Sequence, residues 1–244
     1  MLTLLQAIET RRSVRTFTQQ TPDAGLLAEC GAGAGRLHLY TPAPGSRLGT
    51  YGVISGAPAY VAVLCEPGSV QDSFEAGREG ERFVLQCVRR GLGTVWLGGT
   101  FDRRAVASSL PEGDSRAVAA VIAVGYPAGR RRLVERIMQG AARSASRLPV
   151  EQLIVAGRPD AVISRGIAAA RLAPSALNAQ PWRFAVNLDR SVDLYGGGRD
   201  KFLALDCGIA AEHFLIAAPS YTLAPPRHPA PRLEALASLN PKQS

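Results

Sequence analysis

The residues best suited to chemistry lie between Pro174 and Pro181, where a helical pattern gives way to a strand. Each proline removes a backbone donor and moves the preceding residue out of the helical region, so regular structure is not expected here. The side chains of Ser175, Asn178 and Gln180 are then free to reach a ligand, and each amide carries the paired donor and acceptor that read a planar heterocycle. Proline, serine and asparagine also make ordinary turns. On residue types alone, a turn is favoured over a ligand-binding loop.

A group of guanidinium side chains near the N-terminus is the second candidate. The first predicted helix ends at Arg11-Arg12-Ser13, and Arg15 follows shortly after. Two arginines that close a helix are explained by the helix dipole, which favours cations at that end. The same arginines beside a hydroxyl also suit a phosphate, because a guanidinium donates two parallel hydrogen bonds to phosphate oxygens. Both interpretations stay open at this point.

Paired glycines are the third candidate. Gly98 and Gly99 follow a predicted strand that begins at Thr94. Two glycines after a strand usually indicate a turn. They also permit a flat ligand to approach the backbone closely and leave amides exposed to donate hydrogen bonds.

Helices and strands must bring these stretches together, and the apolar pattern divides the chain into two halves and a tail. The first half covers residues 1–150, with a core helix predicted between Ser69 and Gly91 and a loop predicted over Gly31–Gly56. The second half, residues 151–218, repeats the order helix, strand, strand, helix. Prolines follow in quick succession, so the tail, residues 219–244, is expected to be disordered.

Composition and charge bound the class of protein. Apolar residues make up 46% of the chain and charged residues 20%, which is typical of a globular protein. The formal net charge is +8, but the arginines are scattered rather than interleaved with aromatic residues, so no nucleic-acid partner is expected. The dense cluster Arg130–Arg132 is interpreted as a solvated surface run.

Cysteines, histidines and apolar runs indicate a cytoplasmic protein without a metal. The four cysteines show no close pairing and the three histidines no ligand spacing, so neither disulfides nor a metal site is predicted. No apolar run approaches the ~20 residues of a membrane helix, so no membrane association is expected. The N-terminus carries no secretory pattern, which favours the reducing cytoplasm. His213 is interpreted as a packed histidine rather than a general acid.

The loop resembles the signature of the FMN-dependent nitroreductase family, in which Ala-Pro-Ser is followed by Asn and then by Gln-Pro-Trp, here residues 173–182. Three further stretches agree with that family: residues 11–15, 91–99 and 206–214. These features are split between the two halves, as in the single-chain branch of the family. The resemblance covers Leu2 to Ala218 and implies an α+β fold in which two sheet-and-helix halves pack as an internal pseudo-dimer.

The resemblance also implies an FMN site. An arginine-rich set would hold the phosphate and ribityl chain, a strand end would face the isoalloxazine ring, and the second half would add its loop. The implied cofactor-binding residues are Arg11, Arg12, Ser13, Arg15, Leu97, Gly98, Gly99, Arg147, Pro174, Ser175 and Asn178. The first half lacks the Pro-Ser-x-x-Asn loop and the second lacks the arginines, so one composite site is expected. No side chain is expected to act as a catalytic acid or base.

The implied activity is an oxidoreductase reaction. Hydride passes from NADH or NADPH through FMN to a small-molecule electron acceptor, such as a nitroaromatic or a quinone. Because the chain carries its own pseudo-dimer, a monomer is expected. Two alternatives stay open: a non-catalytic flavin-binding protein, and an enzyme of the same fold with other flavin chemistry, such as dehalogenation or consumption of the flavin.

Overall fold

The computed structural model describes residues 1–41, 54–129, 146–230 and 233–242, which form helices and strands. The helices are α1 (Leu4–Thr10), α2 (Ala24–Cys30), α3 (Val70–Arg89), α4 (Arg103–Ala107), α5 (Val150–Leu153), α6 (Ala161–Ala170) and α7 (Leu203–Ala217), with a 3-10 turn at Ala176–Asn178. The strands are β1 (Leu37–Tyr40), β2 (Ala59–Cys65), β3 (Gly93–Leu97), β4 (Ala117–Gly125), β5 (Ile154–Ala156), β6 (Trp182–Val186), β7 (Val192–Gly196), β8 (Tyr221–Ala224) and β9 (Glu234–Pro241). Within the described residues, no helix combines the length and the apolar character needed to span a membrane.

The first half is built on an antiparallel sheet with the order β1-β2-β4-β3. All seven residues of β2 are buried, as expected for its continuous apolar run. The prediction that Gly31–Gly56 is loop was wrong for Leu37–Tyr40, which forms β1 at the edge of the sheet. Pairing with the already buried β2 stabilises this short strand although glycines precede it, and local sequence does not reveal such tertiary support.

The second half carries a five-stranded sheet with the order β5-β6-β7-β9-β8, in which only the β5–β6 pair is parallel. The prediction of a disordered tail over residues 219–244 was wrong, because Tyr221–Ala224 and Glu234–Pro241 form β8 and β9. Strand β9 lies inside the sheet, and its Leu236 and Leu239 are buried. Pro225, Pro226 and Pro229 lie in the connection between these strands, where they remove no ladder hydrogen bond.

Helices α3 and α7 hold the halves together and cross so closely that two positions leave no room for a side chain. A Cβ atom on Gly77 would lie 2.1 Å from the carbonyl oxygen of Leu205, and one on Gly208 would lie 1.9 Å from that of Phe74. Gly208 stands as far along the chain from Gly77 as Leu205 stands from Phe74. If Gly77 is matched with Gly208 and Phe74 with Leu205, each of the two contacts becomes the other. This is the reciprocal pattern of a two-fold interface.

Two buried glutamates repeat this reciprocity. Glu81 Oε1 lies 2.9 Å from His213 Nε2, and Glu212 Oε1 accepts a hydrogen bond of 2.7 Å from Arg82 Nε. His213 directly follows Glu212, and Arg82 directly follows Glu81. Each glutamate therefore contacts the neighbour of the other glutamate. His213 is fully buried and its Nδ1 donates to the Ala169 carbonyl, so it is packed as predicted. The two sheets with their helices confirm the α+β fold, and the reciprocal contacts of α3 and α7 support the expected internal pseudo-dimer.

We expect Leu239→Ala to destabilise the protein by about 2–5 kcal/mol, because it empties a fully buried position of β9 inside the second sheet. The matched control is Leu188→Ala, since Leu188 is fully exposed between β6 and β7 and its loss should change stability by less than about 0.5 kcal/mol. Urea unfolding measures both values. Equal stabilities of the two variants would contradict a structural role for β9.

Glu81→Ala should destabilise the protein by about 3–5 kcal/mol, since removing one member of a buried charged network leaves its partners without compensation. The carboxylate is fully buried, accepts a 2.9 Å hydrogen bond from Trp96 Nε1, and lies 3.8 Å from Arg11 Nε. Glu29→Ala is the control, because Glu29 is largely exposed and lies 3.6 Å from Arg90, and a surface pair contributes about 0–1 kcal/mol. Similar losses in the two variants, measured by urea unfolding, would contradict a central role for Glu81.

Candidate functional site

A cavity of about 310 Å³ opens where the two halves meet, within the size range of small-molecule sites. Its lining draws on the N-terminal segment, the end of β3, Arg147, the loop after α6 and the start of α7. Every residue that the sequence assigned to cofactor binding lines it, with the exception of Arg12: Arg11, Ser13, Arg15, Leu97, Gly98, Gly99, Arg147, Pro174, Ser175 and Asn178.

Backbone geometry explains why Arg12 is not on the cavity. Ser13 forms a parallel bridge with Thr94 at the start of β3, and Val14 N donates to the Thr94 carbonyl at 2.9 Å. Successive side chains of an extended segment alternate between its two sides. Arg11, Ser13 and Arg15 therefore share the cavity side, whereas Arg12 is exposed.

Arginines bring positive charge to one end of the cavity, where Arg11 lies close enough to Arg147 to affect its ionisation. Burial lowers the pKa of Arg11, and the carboxylate of Glu81 only partly opposes this effect. Burial also lowers the pKa of Arg147, and the charges of Arg11 and Arg171 lower it further. Burial is the largest cause for both arginines, and because a nearby negative charge favours the charged form of a guanidinium, a bound anion would stabilise the cluster.

The loop after α6 forms a hydrogen-bonded turn and also lines the cavity. Ser175 Oγ accepts from Gln180 N at 2.9 Å, and Gln180 Oε1 accepts from Leu148 N at 2.9 Å, so these groups shape the turn. Asn178 Oδ1 accepts from Arg147 Nη1 at 2.9 Å. Asn178 therefore orients a cavity arginine as well as lining the cavity itself. Gln180 is buried away from the cavity and does not reach a ligand there.

The backbone of this loop adopts rarely populated conformations. Leu177, Asn178 and Gln180 have φ values of 50°, 58° and 49°, in the left-handed region that side chains other than glycine seldom adopt. Leu177 is also 89% exposed while it lines the cavity. Such strain persists where the surrounding structure enforces it, and it concentrates at ligand-binding sites.

The two glycines after β3 serve different purposes. A Cβ atom on Gly98 would lie 2.7 Å from Phe202 Cζ, so this glycine accommodates an aromatic ring of the protein itself. A Cβ atom on Gly99 would meet no atom within 4 Å, so the space beside Gly99 is open. The prediction that these glycines leave room for a flat ligand thus remains a prediction for Gly99, whereas Phe202 already explains Gly98.

Sequence reasoning missed an acidic residue in the cavity wall. Asp206 in the first turn of α7 is 4% exposed, and its two oxygens accept from Ala176 N at 3.0 and 3.2 Å. Burial raises the pKa of Asp206 to about 7, and the nearby carboxylate of Asp200 adds to this, although the Ala176 hydrogen bond opposes it. The available signal was a carboxylate on a helix that is otherwise almost entirely apolar.

The cluster Arg130–Arg132, interpreted as a surface run, lies outside the described residues. Within the described residues, no group of three or more histidine, cysteine, aspartate or glutamate side chains is arranged to hold a metal ion.

Comparisons with known proteins place this chain in a family. A family model described as "Putative TM nitroreductase" matches residues 3–218. A solved structure described as a putative nitroreductase from Thermotoga maritima is similar over 98% of this chain and 93% of that chain, with 20% identity and a TM-score of 0.66. No curated protein matches the chain.

Two shorter solved structures are similar to part of the chain. A nitroreductase with bound FMN from Bacteroides fragilis has 21% identity and a TM-score of 0.41, over 55% of this chain and 92% of that chain. A putative nitroreductase in complex with FMN from Desulfovibrio desulfuricans has 24% identity and a TM-score of 0.41, over 56% of this chain and 95% of that chain.

The match to the family model extends over most of the sequence, and the Thermotoga maritima structure shares the fold over nearly all of it. The chain belongs to the "Putative TM nitroreductase" family, and it is therefore an oxidoreductase of the nitroreductase type.

Proposed function

We propose that the protein is an FMN-dependent oxidoreductase that takes hydride from NADH or NADPH and passes it to a nitroaromatic, a quinone or a similar acceptor. The observation that carries the proposal is the composite cavity, in which residues of both halves surround one space with arginines at one end. Membership of the nitroreductase family supports the same reaction class. FMN supplies the hydride chemistry when it is bound, so the chain has to hold it, orient it and exclude water.

The charges of the cavity support a phosphate-bearing cofactor. Arg11, Arg15 and Arg147 line it, and the pKa of both Arg11 and Arg147 is lowered by burial. A phosphate would bring negative charge to these guanidinium groups and accept paired hydrogen bonds from them. Ser13, on the same side as Arg11, offers a hydroxyl for the same group.

The rest of the lining supports a planar ring. Leu97, Leu205 and Ile209 give the cavity an apolar wall, and Gly99 leaves open space beside the backbone. Apolar walls with a few polar groups are the usual lining of cofactor sites. The exposed side chain of Leu177 lies on the same cavity, from the second half.

We also propose the cytoplasm as the compartment and a monomer as the working state. All four cysteines are buried and free, which suits a reducing environment. The close contact between α3 and α7 supports a monomer, because it joins the two halves within one chain.

The phosphate contact should require arginine at position 11. Arg11→Lys keeps the charge but loses the paired hydrogen bonds, which typically costs ~1.5 to 3 kcal/mol, or roughly ten- to a hundredfold in FMN affinity. Arg12→Lys is the matched control, because Arg12 is exposed and absent from the cavity lining. FMN titration followed by flavin fluorescence measures both. Unchanged affinity in Arg11→Lys would mean that Arg11 serves the helix and its network with Glu81 only.

One chain should bind one FMN, at a site that needs both halves. Asn178→Ala removes one acceptor of Arg147 Nη1, which also donates to the Ser146 carbonyl. Loss of a hydrogen bond to a charged group typically costs ~1.5 to 3 kcal/mol, so FMN affinity should fall although Asn178 lies in the other half from Arg11. Absorbance of bound flavin against protein concentration gives the stoichiometry. Two flavins per chain, or full affinity in Asn178→Ala with an unchanged melting temperature, would contradict the composite site.

A further inference from the structure

Asp206 lines the cavity, but the proposed function assigns no role to its carboxyl group. Asp206 N donates to the Phe202 carbonyl at 2.8 Å, so Phe202 and Asp206 stand one helical turn apart on the same face of α7. The Phe202 ring packs against Gly98 at the end of β3, and the Asp206 oxygens accept from Ala176 N in the loop of the second half. Asp206 therefore lies on the wall between the strand end and the strained loop.

No cation compensates this carboxyl group within the part of the chain that the structure describes. No arginine, lysine or histidine there lies within ion-pair distance of Asp206, although it is 96% buried. A buried carboxylate without a partner destabilises a fold, and an asparagine would fit the same hydrogen bond without that penalty. Its presence at a cavity wall therefore favours a use in chemistry.

The charged and titratable groups around Asp206 set when it carries a proton. Asp200 and Cys207 stand near it on its own segment, and Asp200 raises the pKa of Asp206. The cations that line the same cavity are Arg11, Arg15 and Arg147, and α3 brings Arg78, which pairs with Glu75 and Glu212. With burial as the largest cause, the pKa of Asp206 is raised to about 7, so neutral and ionised forms coexist near neutral pH.

We propose that Asp206 is the proton donor of the cavity, which delivers a proton to the oxygen of a quinone-type acceptor as that acceptor receives hydride. The inference rests on the proposed function, which supplies the hydride. A quinone that gains one hydride and one proton becomes a hydroquinone, so two electrons and two hydrogens are accounted for. The O–H bond of Asp206 breaks, an O–H bond forms on the acceptor, and the carboxylate left behind recovers its proton from water.

The hydrogen bond to Ala176 suits this role. Both carboxyl oxygens lie within reach of the one N–H group, so either oxygen can accept from it while the other carries the proton. The loop is thus held in both protonation states, and the proton can be transferred without rearrangement of the wall. A general acid works best when its pKa lies close to the working pH.

The test compares wild type, Asp206→Asn and Asp200→Asn. Protein loaded with FMN and reduced beforehand is mixed with a benzoquinone in a stopped-flow instrument, and flavin reoxidation is followed between pH 5.5 and 9. Wild type should react at a constant rate below about pH 7 and lose about tenfold per pH unit above it, because only the protonated carboxyl donates. Flavin reoxidation in Asp206→Asn should be about 100-fold slower or more below pH 7. The fall in rate above pH 7, here called the pH limb, should be absent from this variant.

Asp200→Asn is the matched variant. Asp200 is exposed and its Oδ1 accepts from Phe202 N, a bond that asparagine retains. Removing its negative charge should lower the pKa of Asp206 and move the limb to lower pH without abolishing it. A limb that stays in place in Asp206→Asn would overturn the proposal.

A second readout needs no flavin. The folded-state pKa of Asp206 is raised, so its contribution to stability is present below the unfolded pKa near 4 and is lost as the pH rises through about 7. Asp206→Asn without flavin should therefore gain melting temperature relative to wild type as the pH rises from about 4 to about 7, with a constant difference at higher pH. A difference that is constant over the lower range as well would show that Asp206 does not titrate there. If instead wild type binds no FMN, the proposed function itself fails, whereas an unaltered pH limb in a protein that does bind FMN refutes Asp206 alone.

Discussion

The close crossing of α3 and α7 is the constraint on which the remaining structure depends. Gly77 and Gly208 let each helix approach a backbone carbonyl of the other, and no larger residue fits at either position. The crossing fixes the relative position of the two sheets and merges their apolar faces into one core, in which Phe74, Phe184 and Phe214 are fully buried. Interiors packed at this density do not deform continuously, so the geometry between the halves is well defined.

The cavity inherits its shape from that crossing. Helix α7 begins beside the end of β3 because Phe202 packs on Gly98, and the turns that follow carry Asp206 and Ile209 to the wall. On the other side, Glu81 of α3 connects Arg11 to Trp96 and His213, so the arginine end is tied to both central helices. The same pair of helices thus positions the charged end and the apolar end of one site.

The cavity residues were assigned through the family resemblance, and local spacing then explains which of them share one side of a segment. The alternation of Arg11, Ser13 and Arg15 along an extended segment places them on one side, and prolines 174 and 181 bound an irregular loop. Longer-range features were not accessible in this way. Strand β9 is stabilised by pairing with two other strands, and the character of Asp206 comes from burial by distant segments, neither of which leaves a periodic pattern in the chain. Gly98 does line the cavity, but the ring beside which a side chain would not fit is Phe202 of the protein itself.

Joining the two halves in one chain removes protein concentration from the conditions that the cavity requires. In a dimer of separate chains, a shared site exists only while the dimer is assembled, so dilution dissociates the dimer and removes the site. A covalent connection holds the second half at an effective concentration on the order of millimolar, whatever the number of molecules present. Each half also meets one invariable partner that is inherited with it. Under that condition, one half can retain the arginines and the other the loop, since neither has to complete a second site.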